Sequence, residues 1–410
     1  MNANISLKDL INKIWFGLLA IYILASYLAQ DVLLPSKFNT IALYVFLAFS
    51  LFAIICSGKI KLTPILGWEL ICLALALVAM IYSPSFSVTS GTFYMMIVNL
   101  VLVFIFTQMQ WNKKRFDMVM KTFVLSSFVL MLALTLTGNL KDSSESGRLG
   151  EDLAGNANKL ATMLMVSAIY ALWLIISSQS KRTKVFAFIS LLITYFGMFL
   201  SGGRKYIILP IIFAYVLLLN KTDNKKRTHI IKNTIIIAAM LLGLYLLIMK
   251  VPFFYEIIGN RFESFFALFG GDKAIDGSTL KRKEMIEAAI KQWPKSPILG
   301  HGFDSFKYYN KTSVTGQFYY SHNNFLELLY NQGLLGFVSY YWFYVYLFSK
   351  ASKYKATSLR KGFVLATVIT TLAFEIVDVT YSITPVQFML CFAFILVDPF
   401  LNSEKRGFDC

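Results

Sequence analysis

His322 and Asn323 open the stretch SHNNFLELLYNQGLLGF, residues 321–337, where an ionisable imidazole stands at the mouth of a long apolar helix. A neutral imidazole, with an ordinary pKa of about 6.5, can take a proton from an attacking sugar hydroxyl. The same side chain could instead cap its helix or hydrogen-bond a neighbouring loop. Asn323 could orient the ring or bind a sugar, whereas Glu327, off the His322 face by over a turn, could partner the ring but reads more readily as structural. Arg204 and Lys205, in FLSGGRKYIILP, form a second group at the end of two hydrophobic spans. A guanidinium fork pairs two oxygens at once and so suits a diphosphate. Gly202 and Gly203 would make the tight turn and let the backbone approach the same anion; the plainer reading is a snorkelling Arg-Lys pair. Arg282 sits in the run Lys281-Arg282-Lys283, and such runs are often no more than a solvated face. Arg148 lies in ESGRLGEDLAGNANKLA, where Asp152, Asn156 and Asn158 could bind sugars or cap the helix beginning near 158. Glu375 and Asp378 are acids near the outer end of an apolar span, either functional or held in a structural pair.

The elements that must position these residues are membrane helices. Of 410 residues 57% are hydrophobic and only 15% charged, with a mean hydropathy of +0.62. A soluble chain could not cover so much apolar material, so the bilayer is its solvent. The sequence predicts an all-α integral membrane protein with about twelve spans. They fall near 11–30, 38–57, 63–82, 92–110, 116–138, 158–178, 183–200, 204–220, 230–250, 322–349, 362–381 and 384–401. Nine spans fill residues 1–250, a large extracytoplasmic loop with short helices covers 251–321, and residues 322–410 add three spans and a tail. The inner links and termini hold about 21 Lys/Arg against about six in the short outer links, which sets both termini in the cytoplasm and the long loop outside. Within that loop FFYEIIGNRFESFFALF reads as an amphipathic helix on the outer leaflet, STLKRKEMIEAAIKQW as a helix capped by Ser278 or Thr279, and PKSPILGHGFDSF as a turn-rich return. The net charge of +17 fits inner-loop bias and an anionic substrate. No interleaved basic and aromatic soluble domain exists to hold nucleic acid. Cys56, Cys72, Cys391 and Cys410 are scattered and suggest neither disulfides nor a zinc site.

Taken in order, three of these signals resemble the O-antigen ligase and Wzy-type polysaccharide polymerase superfamily of membrane glycosyltransferases. SGGRK at 201–205 resembles that family's small-residue-Arg turn. Arg282 followed by Pro297-Ile-Leu-Gly-His-Gly302 resembles its loop element, and His322-Asn323 followed by Gly333-Leu-Leu-Gly336 its H-N-x9-G-x-x-G pattern. RLGEDLAGNANKLA is similar to a looser element in which Ala157 replaces a proline. The resemblance covers residues 140–401; Phe337 departs from the Thr or Val that ligases usually carry there.

The resemblance implies glycosyl transfer at the periplasmic face of the bacterial inner membrane. The donor would be an undecaprenyl-diphosphate-linked oligosaccharide and the acceptor glycan a lipid-linked repeat unit or lipid A-core. No cofactor, nucleotide sugar or essential metal is expected, and a chain-length regulator is an expected partner. Arg204 and Arg282 would bind the diphosphate and His322 would deprotonate the acceptor; Lys205, Arg148, Asn323 and Lys281 would line the substrate. Phe337 and the surrounding run look more like an O-antigen or capsule polymerase than a ligase. A lipid-linked-oligosaccharide flippase is the reading from another class, and it predicts charges at mid-bilayer within pseudo-repeated halves.

Overall fold

The structure, a computed structural model, describes residues 7–29, 33–140, 148–151, 156–221, 227–259, 262–263, 277–354, 358–399 and 401. These residues form an all-α membrane protein without strands. Nine helices come first: α1 (Leu7–Leu28), α2 (Lys37–Ser57), α3 (Pro64–Ile81), α4 (Phe86–Gln108), α5 (Lys113–Leu136), α6 (Ala157–Ser177), α7 (Lys181–Leu200), α8 (Arg204–Lys221) and α9 (Arg227–Lys250). Two helices belong to the long loop, α10 (Gly277–Gln292) and α11 (Ser305–Ser313). Then follow α12 (Asn324–Ser352), α13 (Leu359–Glu375) and α14 (Thr384–Val397).

A helix coincides with each hydrophobic run of the sequence, and eight of them, α1 to α7 and α9, are long and apolar enough to cross a membrane. α14 is too short by that measure at 14 residues, yet every residue from Val386 to Val397 is buried. Its apolar surface serves protein rather than lipid, so the length demanded of a lipid-facing span does not apply. α6 is the other central helix, buried over 83% of its apolar window, and the two share an aromatic core. There Phe392 meets Phe106, Phe116 and Tyr170 with ring centroids 5.7, 5.7 and 5.9 Å away. Such contacts matter because lipid offers no hydrophobic drive for helix association, leaving packing and polar bonds to hold the bundle. Helix starts follow local chemistry. Asn112, Asn156, Ser180, Asn323 and Ser358 each accept a bond from a first-turn amide of α5, α6, α7, α12 and α13.

The long loop departs from expectation in one place and falls outside view in another. The helix expected over STLKRKEMIEAAIKQW is α10. Of the segment read as an amphipathic helix, residues 252–254 make one helical turn and Tyr255–Gly259 a π-helical turn, and most of the remainder lies outside the described residues. The side chain of Ser278, one of the two caps expected for α10, also lies outside them. A small core of Met285, Ala289, Phe306 and Tyr330 seats α10 and α11 on the first turns of α12.

The glycine motifs explain each other. Gly333 has φ 62°, ψ −162° and kinks α12, and a Cβ there would lie 2.3 Å from the carbonyl of Ile298. Gly300, with φ 72°, faces the other way: its Cβ would lie 2.5 Å from the carbonyl carbon of Asn331. Only residues without side chains permit this approach. Backbone bonds close it, with His301 and Gly302 donating to Tyr330 and Asn331 (2.8 and 3.0 Å) and Leu334 and Leu335 to Pro297 and Ile298 (2.8 and 3.2 Å). The return segment of the loop is thereby clasped to the kink of α12.

Candidate active site

The sharp turn between α7 and α8 is a seat for an arginine. Gly202 has φ 66°, and the space over it is filled by Arg148, whose Nε donates to the Ser201 carbonyl at 2.8 Å. Leu149 N binds Leu200 O at 2.9 Å, fixing the 148–151 segment against the end of α7. The guanidinium of Arg148 also reaches Asn158 at 3.2 Å and Glu151 at 3.4 Å. The space over Gly202 is therefore shared by Arg148 and the Ile257 carbonyl, and that over Gly203 is taken by the ring of Tyr206.

Arg204 is the first residue of α8 and is half-buried. Lys205, about 100° further round the helix axis, is the one of the two that meets Asp378. Its ammonium also donates to the Val377 carbonyl at 3.4 Å and lies 5.1 and 5.3 Å from the rings of Tyr206 and Phe374. Asp378 does not sit in a span: α13 ends at Glu375, and the acid belongs to the turn before α14. Burial would raise its carboxyl, but the Lys205 charge and hydrogen bond, the neighbouring His322 and the Val379 amide at 3.0 Å hold it below the ordinary range. Tyr320 adds a hydroxyl bond to the same carboxylate, and burial in that place raises its phenol.

His322 stands in this group with a left-handed backbone, φ 57°, which is uncommon for a residue bearing a side chain. Its ring packs on Tyr320 with centroids 4.6 Å apart, and Nδ1 is buried with no hydrogen-bond partner. Burial first, then the charge of Arg282, then that of Lys205 pull the imidazole down to about 3, against an opposing pull from Asp378. The ring is neutral at physiological pH. Arg282 reaches the cluster from α10, half-buried, and its field acts on Lys205, His322 and Tyr320 together. Lys281, its neighbour, is exposed.

The other polar residues near His322 are committed to the scaffold. Asn323 accepts from Leu326 N and donates to Ile376 O, both at 3.0 Å, so its amide joins α12 to the end of α13. Asn324 ties the Asp378 turn down, accepting from Thr380 N at 2.9 Å and Tyr381 N at 3.3 Å. Glu327 is buried and takes Ser321 N at 2.7 Å and Asn331 Nδ2 at 3.0 Å. Glu375 collects the hydroxyls of Tyr340, Tyr344 and Thr380 at 2.7–3.0 Å. Asp152 lies outside the described residues.

Asp378, Tyr320 and Tyr206 also form one wall of a cleft of about 910 Å³. Its other walls come from the ends of α1 and α2, from α4, from the start of α6 and from the 378–388 segment. Asp304 and Lys307 line it as well, and neither was singled out in the sequence. Among the described residues, no three His, Cys, Asp or Glu side chains gather as metal ligands would.

Arg282, Lys205, Arg148, His322 and Asp378 thus come from five separate parts of the chain into one electrostatic group, of which Asp378 lines the cleft. Residues 154–341 match the model of the family described as O-antigen ligase. This stretch is similar to that family. It contains Arg204, Lys205, Arg282, His322 and both halves of the glycine clasp, while Arg148, Asp378 and part of the cleft lie beyond it. Curated proteins include no match to the chain.

Proposed function

We propose that the chain is a Wzy-like polysaccharide polymerase. It joins undecaprenyl-diphosphate-linked repeat units at the periplasmic face of the inner membrane, with both termini in the cytoplasm. The observation that carries this reading is the half-buried imidazole of His322, its Nδ1 without a hydrogen-bond partner, under the charges of Arg282 and Lys205 and next to Tyr320, which lines a large cleft.

Departure of a diphosphate requires compensating positive charge where negative charge develops, and fixed cations in a partly desolvated site supply it without reorganisation. Arg282 and Arg204 bind the diphosphate by their planar forks, and Lys205 contributes a point charge beside them. The acceptor hydroxyl attacks the anomeric carbon from the opposite side, forming the new C–O bond. The bond from that carbon to the phosphate oxygen breaks, its electron pair leaves with the diphosphate, and the configuration inverts. His322 takes the hydroxyl proton. Burial and the charges of Arg282 and Lys205 hold the free imidazole acidic, and the anionic donor offsets the share that the two cations contribute. Arg148 supports the turn that carries Arg204 and Lys205, and Asn323 fixes the helix start beside His322.

Phe337 supports polymerase over ligase. It packs between Phe325 and Tyr341 at 6.3 and 4.7 Å, in the place where ligases usually carry Thr or Val. The family description itself favours the second reading, transfer of the finished glycan to lipid A-core. Deleting the gene and analysing surface glycans separates them. A polymerase deletion leaves single repeats on the core. A ligase deletion leaves bare core and free lipid-linked polymer. Loss of repeats from the periplasmic leaflet altogether would mean a flippase and would reject both.

A further inference from the structure

The cleft has a second lysine–aspartate pair that the proposed transfer does not use. Asp304 is 1% exposed, and its Oδ2 accepts from Thr92 Oγ1 and Lys307 Nζ, both at 2.7 Å. Lys307 also donates to Thr92 Oγ1 at 3.1 Å, and Tyr381 donates to Asp304 Oδ1 at a long 3.4 Å. Thr92 comes from α4, Tyr381 from the turn before α14, and all four side chains line the same cleft as Asp378 and Tyr320.

Donor and acceptor counts leave room at this cluster. An ammonium has three hydrogens, of which Lys307 directs two at Asp304 and Thr92. A carboxylate offers about four lone-pair sites, and Asp304 Oδ1 receives only the long bond from Tyr381. Lys307 keeps 21% of its side chain accessible, so its ammonium can be reached from the cleft. Charge gives the class of ligand. The ionisable residues lining the cleft are Lys159, Lys307, Asp304 and Asp378, two positive and two negative, and the remainder is largely hydroxyl, amide and aromatic. That surface offers nothing to an extra anion, in contrast to the side held by Arg282 and Lys205. A carboxylate that accepts and an ammonium that donates, side by side, match two adjacent hydroxyls of a sugar. The volume lies within the range of small-molecule sites, about 300–1,000 Å³.

We propose that Asp304 and Lys307, with the hydroxyls of Thr92 and Tyr381, form a sugar-binding station in the cleft that takes adjacent hydroxyls of an uncharged glycan residue. The assignment rests on the glycosyl-transfer reading above, since it supplies the place where the reacting glycan is gripped.

The test uses the full chain in detergent and two probes: undecaprenyl diphosphate, which has no sugar, and the lipid-free oligosaccharide released from the donor by mild acid. Wild-type protein binds both. Thr92→Val and Tyr381→Phe each weaken oligosaccharide binding about tenfold and leave undecaprenyl diphosphate binding unchanged, as expected for one lost hydrogen bond in a desolvated site. Lys307→Met weakens the oligosaccharide further. Retained affinity for undecaprenyl diphosphate in each variant verifies that it is folded. Unaltered oligosaccharide binding in Thr92→Val and Lys307→Met overturns the station, as does equal loss of both probes. Wild-type protein that binds undecaprenyl diphosphate but no oligosaccharide overturns the station and spares the transfer reading; binding of neither overturns the transfer reading itself. Turnover with one substrate fixed and the other varied then assigns the station to donor or acceptor glycan, according to which KM rises.

Discussion

Two lysine–aspartate pairs each present their aspartate to one cleft, and their neighbours make them different instruments. Lys205–Asp378 lies in the field of Arg282 and beside His322, whose Nδ1 has no hydrogen-bond partner, so the pair leaves an excess of positive charge. Lys307–Asp304 lies among the hydroxyls of Thr92 and Tyr381 and leaves none. A charge pair by itself states little about a ligand. What surrounds it decides whether the site draws an anion or grips alcohols.

The sharpest way to break that contrast is to strip the cationic side. Arg282→Ala is expected to lower turnover of lipid-linked substrate by about 10²–10³-fold, the usual cost of one electrostatic contact to a departing group. Intact turnover in that variant would remove the diphosphate role, while glycan binding at the neutral side should survive. Lys205→Met should cost more than Arg204→Lys, because Lys205 is the member of the pair seated at Asp378. Steady-state rates of the two variants check the order, with Arg204→Lys impaired roughly tenfold through loss of the bidentate fork.

His322 separates chemistry from folding. His322→Gly should abolish turnover without lowering the melting temperature, since glycine relieves the left-handed backbone. His322→Ala should abolish turnover and also melt lower, by about 1 kcal/mol relative to the glycine variant. Acid titration reads the same residue. Its folded pKa of about 3 lies below the ordinary value of 6.5, so between these limits the unfolded chain binds more protons and stability falls as pH falls. His322→Gln should flatten part of that decline in a melting-temperature series.

The smallest expected effect on chemistry and a large one on structure belong to Gly333→Ala. A methyl group there meets the Ile298 carbonyl and requires a strained φ, costing on the order of 1–3 kcal/mol. Both pairs should lose function in proportion to unfolding, because the clasp holds the segment that leads to Asp304 as well as the helix that starts beside His322.

The parts of this arrangement that follow from periodicity and charge were legible in the sequence. Twelve hydrophobic runs became helices, with limits moved by as many as six residues where 92–110 became Phe86–Gln108 and 362–381 became Leu359–Glu375, and His322 and Arg282 could be singled out by residue type and by a resemblance that the family match supports. The partners were not legible. Lys205 and Asp378 are 173 residues apart, and Thr92 and Asp304 are 212 apart, so only the assembled bundle brings them together. Nor does helical spacing reveal that Gly300 and Gly333 approach each other. A glycine-rich motif beside a basic residue reads as an anion cradle, whereas here one such turn seats Arg148 and the other locks a loop. α14 hid for the opposite reason: an apolar run looks alike whether it will face lipid or protein.

Because Met285 and Ala289 pin α10 against Phe306 and Tyr330, Arg282 is carried only one helical turn from a fixed point. Three residues span about 4.5 Å along the axis, so a tilt of about 10° there displaces it by less than about 1 Å. A cation mounted so near its anchor stands in position before any anion arrives.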